Sequence, residues 1–388
     1  MLSAINSKPQ IRFEGYRDHW ELFSLSSLAR VIDCKHRTPP YTESGVAVIS
    51  PGTINWGWLD IETPTKRVSY DEYQSLMDHC TPEKGDIVLS RNQSFGIGSL
   101  VQGASPFVLG QDTVLIQTKD TNSYFLYYCI QAPSVQLAIS RMSGGSTFSR
   151  INLKDIRQLP LIVSTDKKEQ QKIATFLSAV DQKIQLLQRK KELLEQYKKG
   201  VMQKLFSQEI RFKDEDGNDY PDWEKKKFGD IAGKQSSNIS AISIRGENGN
   251  YPVYGASGYI QNIDQYQHVG HYIAIVKDGA GVGRTFLCPP MSSVLGTLDT
   301  IHAKGDNSLG FIFRVLERLN FRRFVTGSTI PHIYFRDYSK ELINVPVPKE
   351  QRKISLAIGQ LDHKIASLTK VLLGFERFKR GLLQQMFV

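Results

Sequence analysis

Long apolar runs are missing from this chain of 388 residues. Nowhere do about 18 apolar residues follow one another, so no stretch is suited to crossing a bilayer as a helix. The opening MLSAINSKPQIRF carries no apolar core of signal-peptide length. Cysteine is scarce too: Cys34, Cys80, Cys129 and Cys288 lie far apart without a C-x-x-C pair. That argues against a zinc cluster or a disulfide framework and fits a reducing cytoplasm. Acidic residues are outnumbered, 39 against 49 Lys and Arg, for a formal charge of +10, which favours a polyanionic partner and not a membrane core. The length predicts two or three domains, and 40% apolar content is ordinary for a soluble globular chain.

What the chain does contain, it contains twice. Residues 168–173 read KEQQKI and residues 349–354 read KEQRKI, an offset of 181. The offset persists in DQKI against DHKI and in KKGVMQKLF against KRGLLQQMF. Upstream, GST at 145–147 matches GST at 327–329, followed by Ile151 against Ile333 and Asp155 against Asp337. Each half opens with IRF, at 11–13 and 210–212, and a tryptophan follows, Trp20 or Trp223.

The copied block has the spacing of a coiled-coil seam. In the first copy the seam is Ile173, Leu177, Val180, Ile184, Leu187, Leu194, Val201 and Leu205, with Lys191 and Lys198 in step. In the second it is Ile354, Ile358, Leu361, Ile365, Leu368, Leu372, Phe375 and Leu382, with Lys379 and Met386. A rod of about 38 residues is roughly 55 Å long, more than one small domain covers, so the two stripes are expected to pair with each other. Charge gathers here: residues 167–206 hold ten basic and four acidic side chains, and residues 349–387 hold eight and three. The blocks between read as short strands, such as IVLS at 87–90, VLIQ at 114–117 and YIAIV at 272–276, separated by turn residues. Segment 207–223, polar and turn-rich, reads as a linker. The expected fold class is α+β, two mixed α/β domains and two long helices pairing as an antiparallel coiled coil.

Two motifs suggest chemistry. Arg37-Thr38-Pro39-Pro40-Tyr41 is close to the DPPY-type signature with which amino-methyltransferases hold an extruded base, although two prolines also make a rigid extended loop. GAGVG at 279–283 follows an apolar strand pattern, as a cofactor cradle does. Both halves, however, carry a G-x-G turn, since LSRNQSFGIGSL at 89–100 aligns with IVKDGAGVGRTF at 275–286. RTFLCPP then continues as an extended run where a cradle would open a helix. An autonomous DNA adenine methyltransferase thus stands as one alternative, and a coiled-coil nucleic-acid-binding assembly factor as another.

In order and duplication the IRF…W segments, the KEQ-x-KI helices and KHRTPPY at 35–41 resemble the DNA-specificity subunit of type I restriction–modification enzymes, over essentially the whole chain. The resemblance implies a first target-recognition domain at 1–165, a first spacer helix at 166–207, a second recognition domain at 208–348 and a second spacer helix at 349–388. It implies a non-catalytic chain without its own cofactor, bound to double-stranded DNA. Two modification subunits would carry S-adenosylmethionine, and restriction or motor subunits would use ATP and Mg. The site implied is asymmetric and interrupted.

Readout of bases needs polar and basic side chains on loops. Beside Arg37, Thr38 and Tyr41, the first half offers Arg91, Asn92 and Gln93 in SRNQS, then Arg141, Ser146, Thr147 and Arg150 around SGGSTFSR. The second half offers Lys277, Asp278 and Arg284, then Arg322, Arg323, Ser328, Thr329 and His332 in NFRRFVTGSTIPHI. His79 and His302 read as ordinary residues.

Overall fold

A computed structural model of the chain describes residues 8–103, 105–142 and 150–388. It divides into two compact units, one of Met1–Lys190 with Thr369–Val388, the other of Lys191–Leu368. The two long helices, Lys167–Phe206 and Pro348–Met386, are shared between them. Each unit therefore holds the beginning of one helix and the end of the other.

Within the first unit Asp181 of the first helix meets Lys379 of the second at 2.7 Å. Within the second unit Lys198 meets Asp362 at 2.6 Å. Early residues of one helix thus face late residues of the other, the antiparallel arrangement expected from the two stripes. Ile173, Leu177, Val180, Ile184 and Leu187 are buried, as are Leu205, Ile354, Ile358, Leu372 and Leu382, while Leu194, Val201, Leu361, Ile365, Leu368 and Phe375 are half-buried. Met202 and Leu383, outside the expected seam, are buried as well. The lysines in seam positions 198 and 379 are tolerated because each reaches a carboxylate on the facing helix.

The strands repeat between units. In the first, a five-stranded sheet runs Ala29–Asp33, Thr113–Thr118, Ile87–Ser90, Gly98–Leu100, Gly57–Trp58, beside a three-stranded sheet Arg67–Val68, Val46–Ile49, Phe107–Leu109. In the second, the order is Ala232–Ser236, Leu298–Ala303, Tyr272–Val276, Thr285–Cys288, beside Gly258–Ile263, Tyr251–Gly255, Ser293–Val294. The central strands Ile87–Ser90 and Tyr272–Val276 are buried along their whole length, which is why they read as unbroken apolar runs instead of alternating ones.

The repeated motifs meet at a clamp. Glu169 of KEQQKI is fully buried, and its carboxylate accepts from Arg12 Nε at 2.6 Å, Arg12 Nη2 at 2.8 Å and Trp20 Nε1 at 3.1 Å. Glu350 of KEQRKI, equally buried, accepts from Arg211 Nε at 3.2 Å, Arg211 Nη2 at 2.8 Å and Trp223 Nε1 at 3.0 Å. A carboxylate this deep needs paired donors, and IRF…W supplies them. The glutamines that follow cap the helices Ser123–Gln131 and Leu309–Arg318: Gln170 Oε1 accepts from Asn122 N at 2.9 Å, and Gln351 Oε1 from Ser308 N at 2.8 Å. Segment 207–223, expected as a linker, is instead anchored by Arg211 and Trp223, with Tyr220 buried between them in sequence.

Candidate nucleic-acid interface

Where the buried strand Ile87–Ser90 ends, the chain turns into the loop carrying Arg91, Asn92 and Gln93. Arg91 N donates to Asp112 O at 2.8 Å, and Ile151 N donates to Arg91 O at 2.9 Å, so segments distant in sequence close on one spot. Asn92 pairs across a bridge with Arg150. Arg150 Nη2 lies 2.7 Å from Asp112 Oδ1, Asn92 Nδ2 donates to Asp112 Oδ2 at 3.3 Å, and Gln111 Nε2 donates to Thr38 Oγ1 at 3.4 Å. Thr38, Asn92 and Arg150 are thereby collected around the Gln111–Asp112 turn, whose Asp112 has φ 65°, a conformation aspartate enters more readily than most residues. Neither Gln111 nor Asp112 was among the sequence candidates; the Gly-Gln-Asp turn before a strand was the available signal.

The other candidates of the first half are dispersed. Arg91, expected to reach a base, is only 4% exposed: its Nη1 lies 2.8 Å from Asp33 and its Nε donates to Ile151 O. It braces the loop from behind. Arg37 donates to Glu72 at 2.5 Å and to Ser75, strapping RTPPY to the helix Tyr70–Met77. Tyr41 stands exposed with the Lys66 ammonium 5.2 Å from its ring centre. Gln93 and Arg141 are exposed, and Ser146 and Thr147 lie outside the described residues.

The second unit builds the same junction with other side chains. Ile333 N donates to Lys277 O at 3.0 Å and Lys277 N to Thr297 O at 3.1 Å. Asp278 and His332 form the bridge corresponding to Asn92 and Arg150, and His332 Nδ1 lies 2.7 Å from Asp278 Oδ1. Lys277, like Arg91, is held by an acid, Asp299 at 3.0 Å. The acid has changed strands while keeping its place: Asp33 faces Val114 in one ladder, and Ser236 faces Asp299 in the other.

GAGVG is the turn of a hairpin between the antiparallel strands Tyr272–Val276 and Thr285–Cys288. No helix opens behind it, so it lacks the geometry of a cofactor cradle. Its Gly283, at φ 84°, has no room for a side chain, since a Cβ would sit 2.7 Å from Phe321 Cβ. That close approach sets Arg284 beside the Phe321–Phe324 turn with Arg322 and Arg323. Arg284 donates to Ala256 O at 3.0 Å, and Arg323 pairs with Glu341 at 3.2 Å. Arg284, Arg322, Ser328 and Thr329 are exposed, the last two just after Gly327 at φ 87°.

Asp33, Cys34 and His36 bring possible metal-ligating atoms within 4.8 Å of one another. Asp33 already faces Arg91 there, and burial pushes the Cys34 thiol up, which suits a structural corner better than a metal. No described helix is long and apolar enough to cross a membrane.

The profile of the type I restriction modification DNA specificity domain matches residues 17–196 and again 220–373. The chain is 23% identical over 334 residues to the type I restriction enzyme MjaIX specificity subunit of Methanocaldococcus jannaschii, covering 78% of this chain and 77% of that one. Its fold is similar to the type I restriction–modification S subunit from M. genitalium, with a TM-score of 0.69 at 18% identity over 98% of this chain and 99% of that one. A chain from a structure of type I R-M complex assembly is similar at a TM-score of 0.51 and 14% identity, over 94% and 96%.

Proposed function

The chain belongs to the type I restriction–modification DNA specificity family, and from that premise we propose that its two units read the two halves of an asymmetric, interrupted site in double-stranded DNA. The observation carrying this reading is the junction built twice with different side chains. Asn92, Arg150 and Asp112 converge in one unit, and Asp278 and His332 in the other. A shared backbone frame with unlike side chains is what two readers of unlike sequences require.

Catalysis belongs to other chains in this reading. Two modification subunits bind S-adenosylmethionine and methylate adenine where this chain directs them, and restriction or motor subunits use ATP and Mg. The complex works in the cytoplasm. The seam and clamp residues hold the frame; Arg37 and Tyr41 sit on a surface loop beside the junction of the first unit, and Arg284, Arg322, Ser328 and Thr329 flank that of the second, suited to phosphate.

Mapping N6-methyladenine across the genome with and without this gene tests the proposal. Loss of methylation at one bipartite, non-palindromic motif is the expected result. An unchanged methylome, or loss at an uninterrupted motif, overturns it.

A further inference from the structure

Arg150 and His332 occupy equivalent places. Each immediately precedes the isoleucine whose N–H donates to the residue after the buried central strand, and each forms the bridge to the next residue along, Asn92 or Asp278. Each is held by a carboxylate at 2.7 Å, Asp112 or Asp278. Both nevertheless stay open to solvent, with side chains 45% and 37% exposed. The two carboxylates come from different positions in the frame, so the repeat alone does not produce the pairing.

An exposed arginine samples many rotamers, and fixing it on binding costs entropy. A carboxylate on one edge of the guanidinium removes part of that cost. It leaves the other N–H donors of the five, which form a planar fork, for a further acceptor. Guanine alone offers two adjacent acceptors, N7 and O6, on its major-groove edge, and that pair matches the fork. Arg91 and Lys277, the basic residues that follow the two central strands, are held on Asp33 and Asp299 and are spent on the frame.

Resting on the DNA-reading function above, we propose that Arg150, aimed by Asp112, reads a guanine in the half-site of the first unit, and that His332, aimed by Asp278, is the equivalent specificity-determining side chain for the other half-site. Asp112 and Asp278 are positioning residues. Asn92, on the same carboxylate as Arg150, keeps the aspartate turned toward the loop.

The test uses the full chain assembled with its modification subunits and offered a random duplex library, the bound duplexes being sequenced. The wild-type complex selects a bipartite motif with a G·C pair in one half. Arg150→Ala turns that pair into any base, with a drop in discrimination of about tenfold, and leaves the other half intact. Arg150→Lys lowers discrimination at the same pair by a smaller factor, because an ammonium still donates to O6 or N7 but lacks the planar fork; it carries the test if the alanine variant does not assemble. Asp112→Asn weakens discrimination at the same pair. His332→Ala relaxes one position in the opposite half only. The inference is overturned if the first-unit half lacks a G·C pair, if Arg150→Lys leaves the motif unchanged, if Arg150 and His332 variants relax the same half, or if binding weakens evenly over all sequences. A wild-type complex that selects no interrupted motif would instead sink the DNA-reading function itself.

Discussion

Lys379 Nζ lies 2.7 Å from Asp181 Oδ1, and 181 residues earlier Lys198 Nζ lies 2.6 Å from Asp362 Oδ1. Each acid has a second partner on the domain helix packed against it, Tyr128 Oη at 2.9 Å for Asp181 and Arg314 Nη2 at 2.5 Å for Asp362. Each lysine also reaches that helix, at Gln131 or Glu317. The copied stripes therefore carry a polar register lock that is the same in both units at its centre and different at its edge.

Breaking the lock on one side strands a mostly buried charge. Asp181→Leu is expected to cost about 2 kcal/mol in urea unfolding of the full chain, and adding Lys379→Met to recover most of that loss. If the double variant is no more stable than Asp181→Leu alone, the pair does not set the register.

The clamp is less forgiving. Glu169→Gln keeps the volume and removes the charge that Arg12 is paired with, at a position that is itself fully buried; a loss of about 3 kcal/mol is expected. Glu350→Gln should behave alike through Arg211. Guanidinium unfolding followed by tryptophan fluorescence measures both, because Trp20 and Trp223 donate to these carboxylates.

A fragment of residues 1–207 should form a two-fold homodimer. Phe387 packs at 5.9 Å from Trp20 and 5.7 Å from Phe125, and Phe206 holds the corresponding place at 6.1 Å from Trp223 and 5.6 Å from Phe311. Phe206 of a second copy can thus fill the place of Phe387, and its Lys198 the place of Lys379. Light scattering after size exclusion should give a dimer, and Phe206→Ala a monomer; with modification subunits, methylation should move to an inverted repeat of the first half-site. A monomeric wild-type fragment would end this idea.

Stability should fall on mild acidification. His268 is buried against Tyr272, with ring centres 4.2 Å apart, and close to His302. Burial, with a smaller contribution from His302, lowers its pKa from 6.5 to about 4, and burial lowers His302 as well. Between those values the unfolded chain binds the proton and the folded chain does not, so the stabilisation is complete above about pH 6.5 and is lost as pH falls toward 4, up to about 3 kcal/mol for His268. Thermal unfolding at pH 7 and pH 5 measures the slope, and His268→Phe should flatten it.

The helical seam was legible because its period is local: from Ile173 to Leu205 spacing marks the buried stripe, with Met202 among the buried residues it misses. IRF…W and KEQ were legible as copies, but their contact was not. Arg12 and Glu169 are 157 positions apart, and no periodicity reports a distance of that kind. The loop candidates divided for the same reason. Arg91 and Arg150 look alike in sequence, yet one sits on a strand end that the sheet buries and the other at the rim, and only the acids Asp33 and Asp112, brought in from elsewhere, distinguish a brace from an open donor.

The amino-acid sequence by itself determined the duplication, the two long amphipathic helices, the α+β class and the lack of a helix behind GAGVG, because each follows from short-range pattern and turn chemistry. Tertiary structure alone decided that each helix is shared between both units, that Glu169 and Glu350 are the clasps, and that Asn92, Arg150 and Asp112 come to one point. Those outcomes depend on burying charges and strand ends among partners far away in the chain, and the free energy of such burial is set by what surrounds a residue in space.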